Sequence, residues 1–388
     1  MDDSQLPLLD RAVEAEADPA LKATLERLRA GVLVVSGDKA QRLAAVKALA
    51  ASGEPSVKAL LQERLGVEPE AEVKGALLSA VGQVESRLAW GERLGVVFTG
   101  ISLGSILLLV ALGLAITYGL MGVINMAHGE LMMVGAYATY LVQNAFKAWA
   151  PEAFGHYLWV AVPASFFVAA AVGAVMERTV LRWLYGRPLE TLLATWGLSL
   201  VLMQAVRSVF GAQNVPVENP AWLSGGLTVL PNLTLPYNRI AIIGFALAVL
   251  AGVALLIART RLGLFVRGVT QNRRMAACVG IHTARIDTYA FSLGAGIAGL
   301  AGCALSQVGN VGPDLGQGYI VDSFMVVVLG GVGQLAGTVY AALGLGVLSK
   351  FLEGWAGAVL AKIMVLVVIV VFIQKRPQGL FAMKGREA

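Results

Sequence analysis

The 388-residue sequence is poor in charge: only 14% of its residues are Asp, Glu, Lys or Arg, against about 25% in an ordinary soluble domain. That excludes a soluble protein along the whole chain. Cysteine is scarce too. Cys278 and Cys303 are too few for a disulfide framework and lack the C-x-x-C spacing of a zinc or redox pair, so both read as packing residues. A G-x-x-x-x-G-K-[ST] loop and an H-E-x-x-H helix are absent, so nucleotide hydrolysis and zincin chemistry are not expected. The expectation is no catalytic residue, no cofactor, no metal and no nucleic-acid partner. The ~10-residue alternating segments of a transmembrane β-barrel are lacking as well.

What the sequence has is apolar length. Apolar residues make up 57% of it, glycine is abundant at 45, and the mean hydropathy is +0.71. The runs Val97 to Tyr118, Leu158 to Met176, Ile240 to Ala258 and Val359 to Ile373 reach or approach the ~20 residues that cross a hydrocarbon core. The predicted fold is all-α, a polytopic transmembrane helical bundle of about eight or nine spans, some of them broken.

Charge divides the chain in two. Residues 1–92 hold 11 Lys/Arg against 15 Asp/Glu, a net of −4, and the remainder is +9. No long apolar run occurs in the first 92 residues, so this part neither spans the bilayer nor contains a secretory signal peptide. Ala, Leu and Val recur at helical spacing over 39–51, 54–65 and 69–84. The breaks Ser52-Gly53-Glu54-Pro55 and Gly66-Val67-Glu68-Pro69 are stop-and-start signals. Short helices at this spacing resemble a HEAT-like array or an irregular bundle. Residues 1–92 are therefore expected to form a helical domain and 93–388 a membrane domain.

Lys/Arg counts between spans give an orientation. Arg178, Arg182 and Arg187 share one connection, and Arg259, Arg261, Arg267, Arg273, Arg274 and Arg285 share another. Both are expected on the cytoplasmic side, as is the tail with Lys375, Arg376, Lys384 and Arg386. If 119–141 crosses the bilayer, residues 1–92 lie in the periplasm, which would call for a signal upstream of this chain. If it only re-enters, they stay inside. The periplasmic placement is preferred.

Among the motifs, Gly294-x-Gly-x-x-Gly299 lies inside an apolar span with no strand before it, so it reads as helix packing rather than a dinucleotide site. Asn219-Pro220-Ala221 spells a water-channel signature, but once, in a polar connection. The run Asn125 to Glu130 interrupts an apolar tract, and the piece after it, to Leu141, looks too short to span. Polar backbone at membrane depth survives only where protein or a wet cavity satisfies it, and ionisable groups there point to a transport path. Asn125, His128 and Glu130 are the leading pathway candidates, against the plainer reading of an interfacial turn capped by Asn125 with Glu130 solvated. Gln307 and Asp322, with Asn310 and Asp314, belong to the next outward connection. The segment 259–285 reads as an amphipathic cytoplasmic helix, either lying on anionic lipid or docking a partner. Arg267, Arg273, Arg274, Met275, Ala276 and Gly280 would carry the docking, with Gly280 stopping the helix.

The run Gly119-Leu-Met-Gly-Val-Ile-Asn-Met-Ala-His-Gly-Glu-Leu-Met-Met-Val-Gly-Ala-Tyr137 resembles permease subunits of branched-chain amino acid ABC importers, over about residues 95–380. Arg274-Met275-Ala276 stands where the wider importer pattern has E-A-A. Within the family, Gly186 to Gly197, Thr270 to Ala277, Asn310 to Gly318 and Gln374 to Leu380 are most similar to the urea-importing subgroup. The resemblance implies a multi-pass subunit of the bacterial inner membrane, paired with a homologous permease, two cytoplasmic ATPase subunits and a periplasmic urea-binding protein. Branched-chain amino acid import and passive urea or amide conduction are the alternatives.

Overall fold

The computed structural model describes residues 6–381. Its helices are α1 (Leu6–Ala15), α2 (Pro19–Leu33), α3 (Lys39–Ala50), α4 (Pro55–Val67), α5 (Ala71–Met121), α6 (His128–Trp149), α7 (Tyr157–Thr179), α8 (Pro188–Phe210), α9 (Tyr237–Arg259), α10 (Arg261–Gln271), α11 (Arg273–Cys278), α12 (Thr283–Ser306), α13 (Leu315–Gly330), α14 (Leu335–Ala356) and α15 (Ala358–Lys375). One hairpin, β1 (Gly226–Leu230) and β2 (Leu233–Pro236), joins α8 to α9. The chain forms two compact units: the residues up to Gly95 with Leu227–Leu235, and the rest.

In the first unit, short helices start where local chemistry permits. The Asp38 carboxylate accepts from the amide of Ala40 at 3.0 Å to cap α3, and Pro55 opens α4 where no amide partner is needed. Leu49, Leu61, Leu77 and Val84 close an apolar core. Beside it the buried Arg42 reaches Glu68 at 3.3 Å and the carbonyl of Ser36 at 2.9 Å, and Arg64 donates to the same Glu68 at 3.0 Å. The tip of the hairpin belongs to this unit. The side-chain amide of Asn232 donates to the carbonyl of Leu88 at 2.9 Å, a pairing across 144 residues that local sequence patterns cannot announce.

The second unit is built around α12, buried along nearly its whole length and packed on α6 and α7. Glycine makes that packing possible. A methyl group on Gly302 would run into the carbonyl of Met132, one on Gly135 into the backbone of Gly299, and one on Gly129 into that of Gly316. Such approaches replace the hydrophobic drive that lipid does not supply between helices. The Gly294-x-Gly-x-x-Gly299 run is thus a set of backbone contacts: Gly294 meets Gly113 and Gly299 meets Ser165. Gly100-Ile-Ser-Leu-Gly104 does spell G-x-S-x-G, yet it sits within α5 with both glycines against the backbone of α14. It has none of the strand-to-helix geometry of a nucleophile elbow.

Among the described residues, seven helices are long and apolar enough to cross a membrane, fewer than the eight or nine expected. The difference lies in α13, which is 16 residues long, and in α6, which carries polar groups near both ends. The apolar sequence from Leu315 to Lys375 resolves into α13, α14 and α15, of which α14 and α15 are long enough to cross. Cys303 is buried as expected, whereas Cys278 is exposed and packs nothing.

Candidate functional site

Between α5 and α6 the backbone leaves helical geometry over 122–127, starting from Gly122 at φ +65°. Two side chains receive its free amides. Thr195 Oγ1 accepts from Met126 at 3.1 Å, and Asn125 Oδ1 accepts from Ala127 at 3.0 Å. α6 then begins at His128 and runs 22 residues to Trp149. The piece after the interruption is therefore long rather than a fragment, because Gln143, Asn144 and Lys147 continue the helix beyond Leu141.

Asn125, His128 and Glu130 come together on this one turn, and each is essentially inaccessible. His128 Nε2 lies 3.0 Å from the carbonyl of Val110 and so carries the proton, leaving Nδ1 as an acceptor. Ser199 Oγ donates to Glu130 Oε1 at 2.9 Å. A solvated Glu130 is thus excluded, and Asn125 does not cap α6: its side chain accepts within the turn, and Ala127 is the N-cap. Asn125 Nδ2, His128 Nδ1 and Glu130 Oε2 are left without a hydrogen-bond partner. These are one donor and two acceptors, all buried and unpaired. Asp314, just before α13, acts electrostatically on both Glu130 and the buried Tyr137.

The other pathway candidates lie elsewhere. Gln307 ends α12, accepting from Tyr157 Oη at 3.2 Å while its own carbonyl accepts from Asn238 Nδ2 at 3.0 Å. Asp322 pairs with Lys362 at 3.6 Å, facing α15. Asn310 and Asp314 line a cavity of about 220 Å³ with Asn214 and Tyr319. The residues missed are the hydroxyls of α8. Thr191, Thr195 and Ser199 are all buried and recur every four residues on an otherwise apolar helix, a stripe visible in the sequence that places each on the same face.

The segment 259–285 is not one helix. Thr260 caps α10, accepting from Gly263 at 3.3 Å, and Asn272 interrupts it, its side chain capping α11 by accepting from Met275 at 3.0 Å. The end of α11 closes as a Schellman motif. Ile281 N–H reaches the carbonyl of Ala276, Gly280 N–H that of Ala277, each at 3.1 Å, and Gly280 supplies φ +88°. Gly280 is thus a stop, and Ala276 is buried rather than presented. Arg274, Met275 and Val279 are exposed, Arg267 donates to the carbonyl of Gly263 at 3.3 Å, and Arg273 turns inward. Its guanidinium pairs with the buried Asp287 of α12 and lies 5.4 Å from the centre of the Tyr185 ring. Tyr185 Oη donates to Glu177 Oε1 at 2.7 Å, and Thr288 Oγ1 donates to Glu177 Oε2 at 2.6 Å. Burial and the Glu177 carboxylate push the Tyr185 phenol well above its ordinary pKa. Among the described residues no group of three or more His, Cys, Asp and Glu side chains forms a metal site.

A bundle of apolar helices knitted by glycine contacts, broken at one buried polar turn and ending in a capped basic segment, defines the class of a multi-pass membrane transport subunit. The family model "branched-chain amino acid transport system / permease component" matches residues 96–373, and the chain belongs to that family. It is 28% identical to the high-affinity branched-chain amino acid transport system permease protein BraD of Pseudomonas aeruginosa, over 72% of this chain and 93% of that protein. It is likewise 28% identical to the corresponding LivH of Escherichia coli K12, over 73% and 93%. With a probable LivH of Methanocaldococcus jannaschii it shares 24%, over 71% and 88%. No solved structure matches the chain.

Proposed function

We propose that the chain is a membrane subunit of an ATP-driven importer for a small nitrogen-bearing solute. A homologous permease completes the path, two cytoplasmic ATPases bind the exposed face of α11, and a binding protein delivers the solute from outside. The observation carrying this is the buried turn at the start of α6, where Asn125, His128 and Glu130 keep polar atoms unpaired within an apolar bundle. The Lys/Arg-rich connections support a cytoplasmic position for the α11 end. If α6 completes a crossing, residues 1–92, with their HEAT-like helix spacing, form a periplasmic domain on that orientation.

The names of the relatives support a branched-chain amino acid as the solute. A second reading, urea, draws on the runs that resemble the urea-importing subgroup and on the site's chemistry. One free donor and two free acceptors complement a carbonyl and its amide hydrogens. A zwitterion's carboxylate would want a cation, and among the described residues of the membrane unit no Lys or Arg is buried. Uptake of [14C]leucine and [14C]urea by cells expressing the chain with its companion subunits separates the two readings. The solute taken up only when this chain is present is the substrate. Uptake of neither would refute both.

A further inference from the structure

At the basic end of the bundle, a cavity of about 570 Å³ lies between the end of α7 and the corner joining α11 to α12. Arg178 and Arg182 line one side and His282 and Arg285 the other, with Thr283 and Ala284 between. Among the described residues, none of the three arginines is in an ion pair, although carboxylates are close by. Glu177 is taken by Tyr185 and Thr288, and Asp287 by Arg273. Three arginines therefore line one space without an ion-pair partner, and their mutual repulsion would be relieved by a bound anion. The floor supports the same polarity. α12 begins here, with the amides of Arg285 and Ile286 both turned back onto the His282 carbonyl and with Thr283 and Ala284, its first two residues, lining the cavity, so the positive end of the helix lies at this site.

We propose that this cavity binds the phosphate of an anionic phospholipid headgroup. The choice of lipid rests on what surrounds the cavity. Trp183 is 75% exposed, with the Arg182 guanidinium stacked on its ring at 5.6 Å, and exposed Trp marks the headgroup level of a membrane protein. Beyond it, Leu189, Leu193 and Trp196 of α8 present an apolar face to the acyl region. A headgroup in the cavity can thus keep its tails beside α8, which a free anion or a protein side chain does not require. Bound there, the phosphate ties α7 to the corner that carries α11.

The test is titration of phosphatidylglycerol into the detergent-purified full chain, read by native mass spectrometry. Wild type is compared with an Arg178→Gln/Arg182→Gln/Arg285→Gln variant and with an Arg259→Gln/Arg261→Gln control whose arginines lie outside the cavity. One saturable lipid is expected in wild type, weakened by about tenfold or more in the cavity variant and by less than about twofold in the control. Circular dichroism and gel filtration confirm that both variants are folded. Equal weakening in the two variants would mean diffuse attraction to the basic face and would overturn the proposal. Displacement of the lipid by millimolar inorganic phosphate would assign the cavity to a free anion instead. Unchanged lipid binding with lost co-purification of the ATPases would assign it to a protein partner.

Discussion

Arg273, the first residue of α11, holds the carboxylate of Asp287 fourteen residues later, and the Asp287 side chain is wholly buried while that of Arg273 is 43% exposed. The pair ties α11 to α12, the most buried helix of the bundle.

Burial is unequal, so the two halves of the pair differ when removed. Arg273→Gln strands a buried charge and is expected to cost about 2 kcal/mol, below the 3–5 of a fully buried pair because water reaches the guanidinium. Asp287→Asn leaves only a partly solvated arginine and costs less, and the double variant recovers part of the loss. Thermal unfolding in detergent checks the order.

Tyr185→Phe removes one of the two hydrogen bonds to the buried Glu177 and is expected to cost about 1 kcal/mol. Because the phenol ionises well above its ordinary value in the folded state, folding holds its proton more tightly than the unfolded chain does. Its contribution is therefore constant at neutral pH and falls only as pH rises past the unfolded pKa of about 10. The difference in melting temperature between wild type and variant should be flat from pH 6 to about 9 and narrow above that.

Glycine positions separate packing from propensity. Gly302→Ala forces a methyl into the carbonyl of Met132 and is expected to destabilise the fold by 2 kcal/mol or more, about the upper range of overpacking. Gly244→Ala on α9 meets nothing within 4 Å and should be neutral or stabilising by up to about 1 kcal/mol. Gly280→Ala falls between, about 1 kcal/mol, since φ +88° strains any side chain. Melting temperatures of the three rank the effects.

If the start of α6 lies on the solute path, Glu130→Gln lowers the maximal uptake rate by about tenfold or more while the melting temperature moves little, since Ser199 can still donate to the amide oxygen. A large fall in stability with unchanged uptake per folded molecule would make Glu130 a structural residue.

Much of this was readable beforehand because it is local. Apolar runs mark most of the spans, though not their number, Pro55 and Gly280 mark a start and a stop, and Asn125 to Glu130 stands out as polar within apolar sequence. The break at Asn272 was missed because Arg, Gln and Asn fit a helix as easily as a cap. The hydroxyl partners of the buried carboxylates were missed for another reason. Ser199 meets Glu130 across 69 residues and Thr288 meets Glu177 across 111, distances over which helical periodicity says which face is buried but not what it faces.

The most direct test of the account is ATP dependence. Uptake of the identified solute is measured in cells with ATP present or depleted, for wild type and for Met275→Glu on the exposed face of α11. Uptake is expected to disappear without ATP and to fall several-fold in the variant with its folding intact. Uptake that persists under both conditions would mean that the chain conducts by itself and that α11 couples it to nothing.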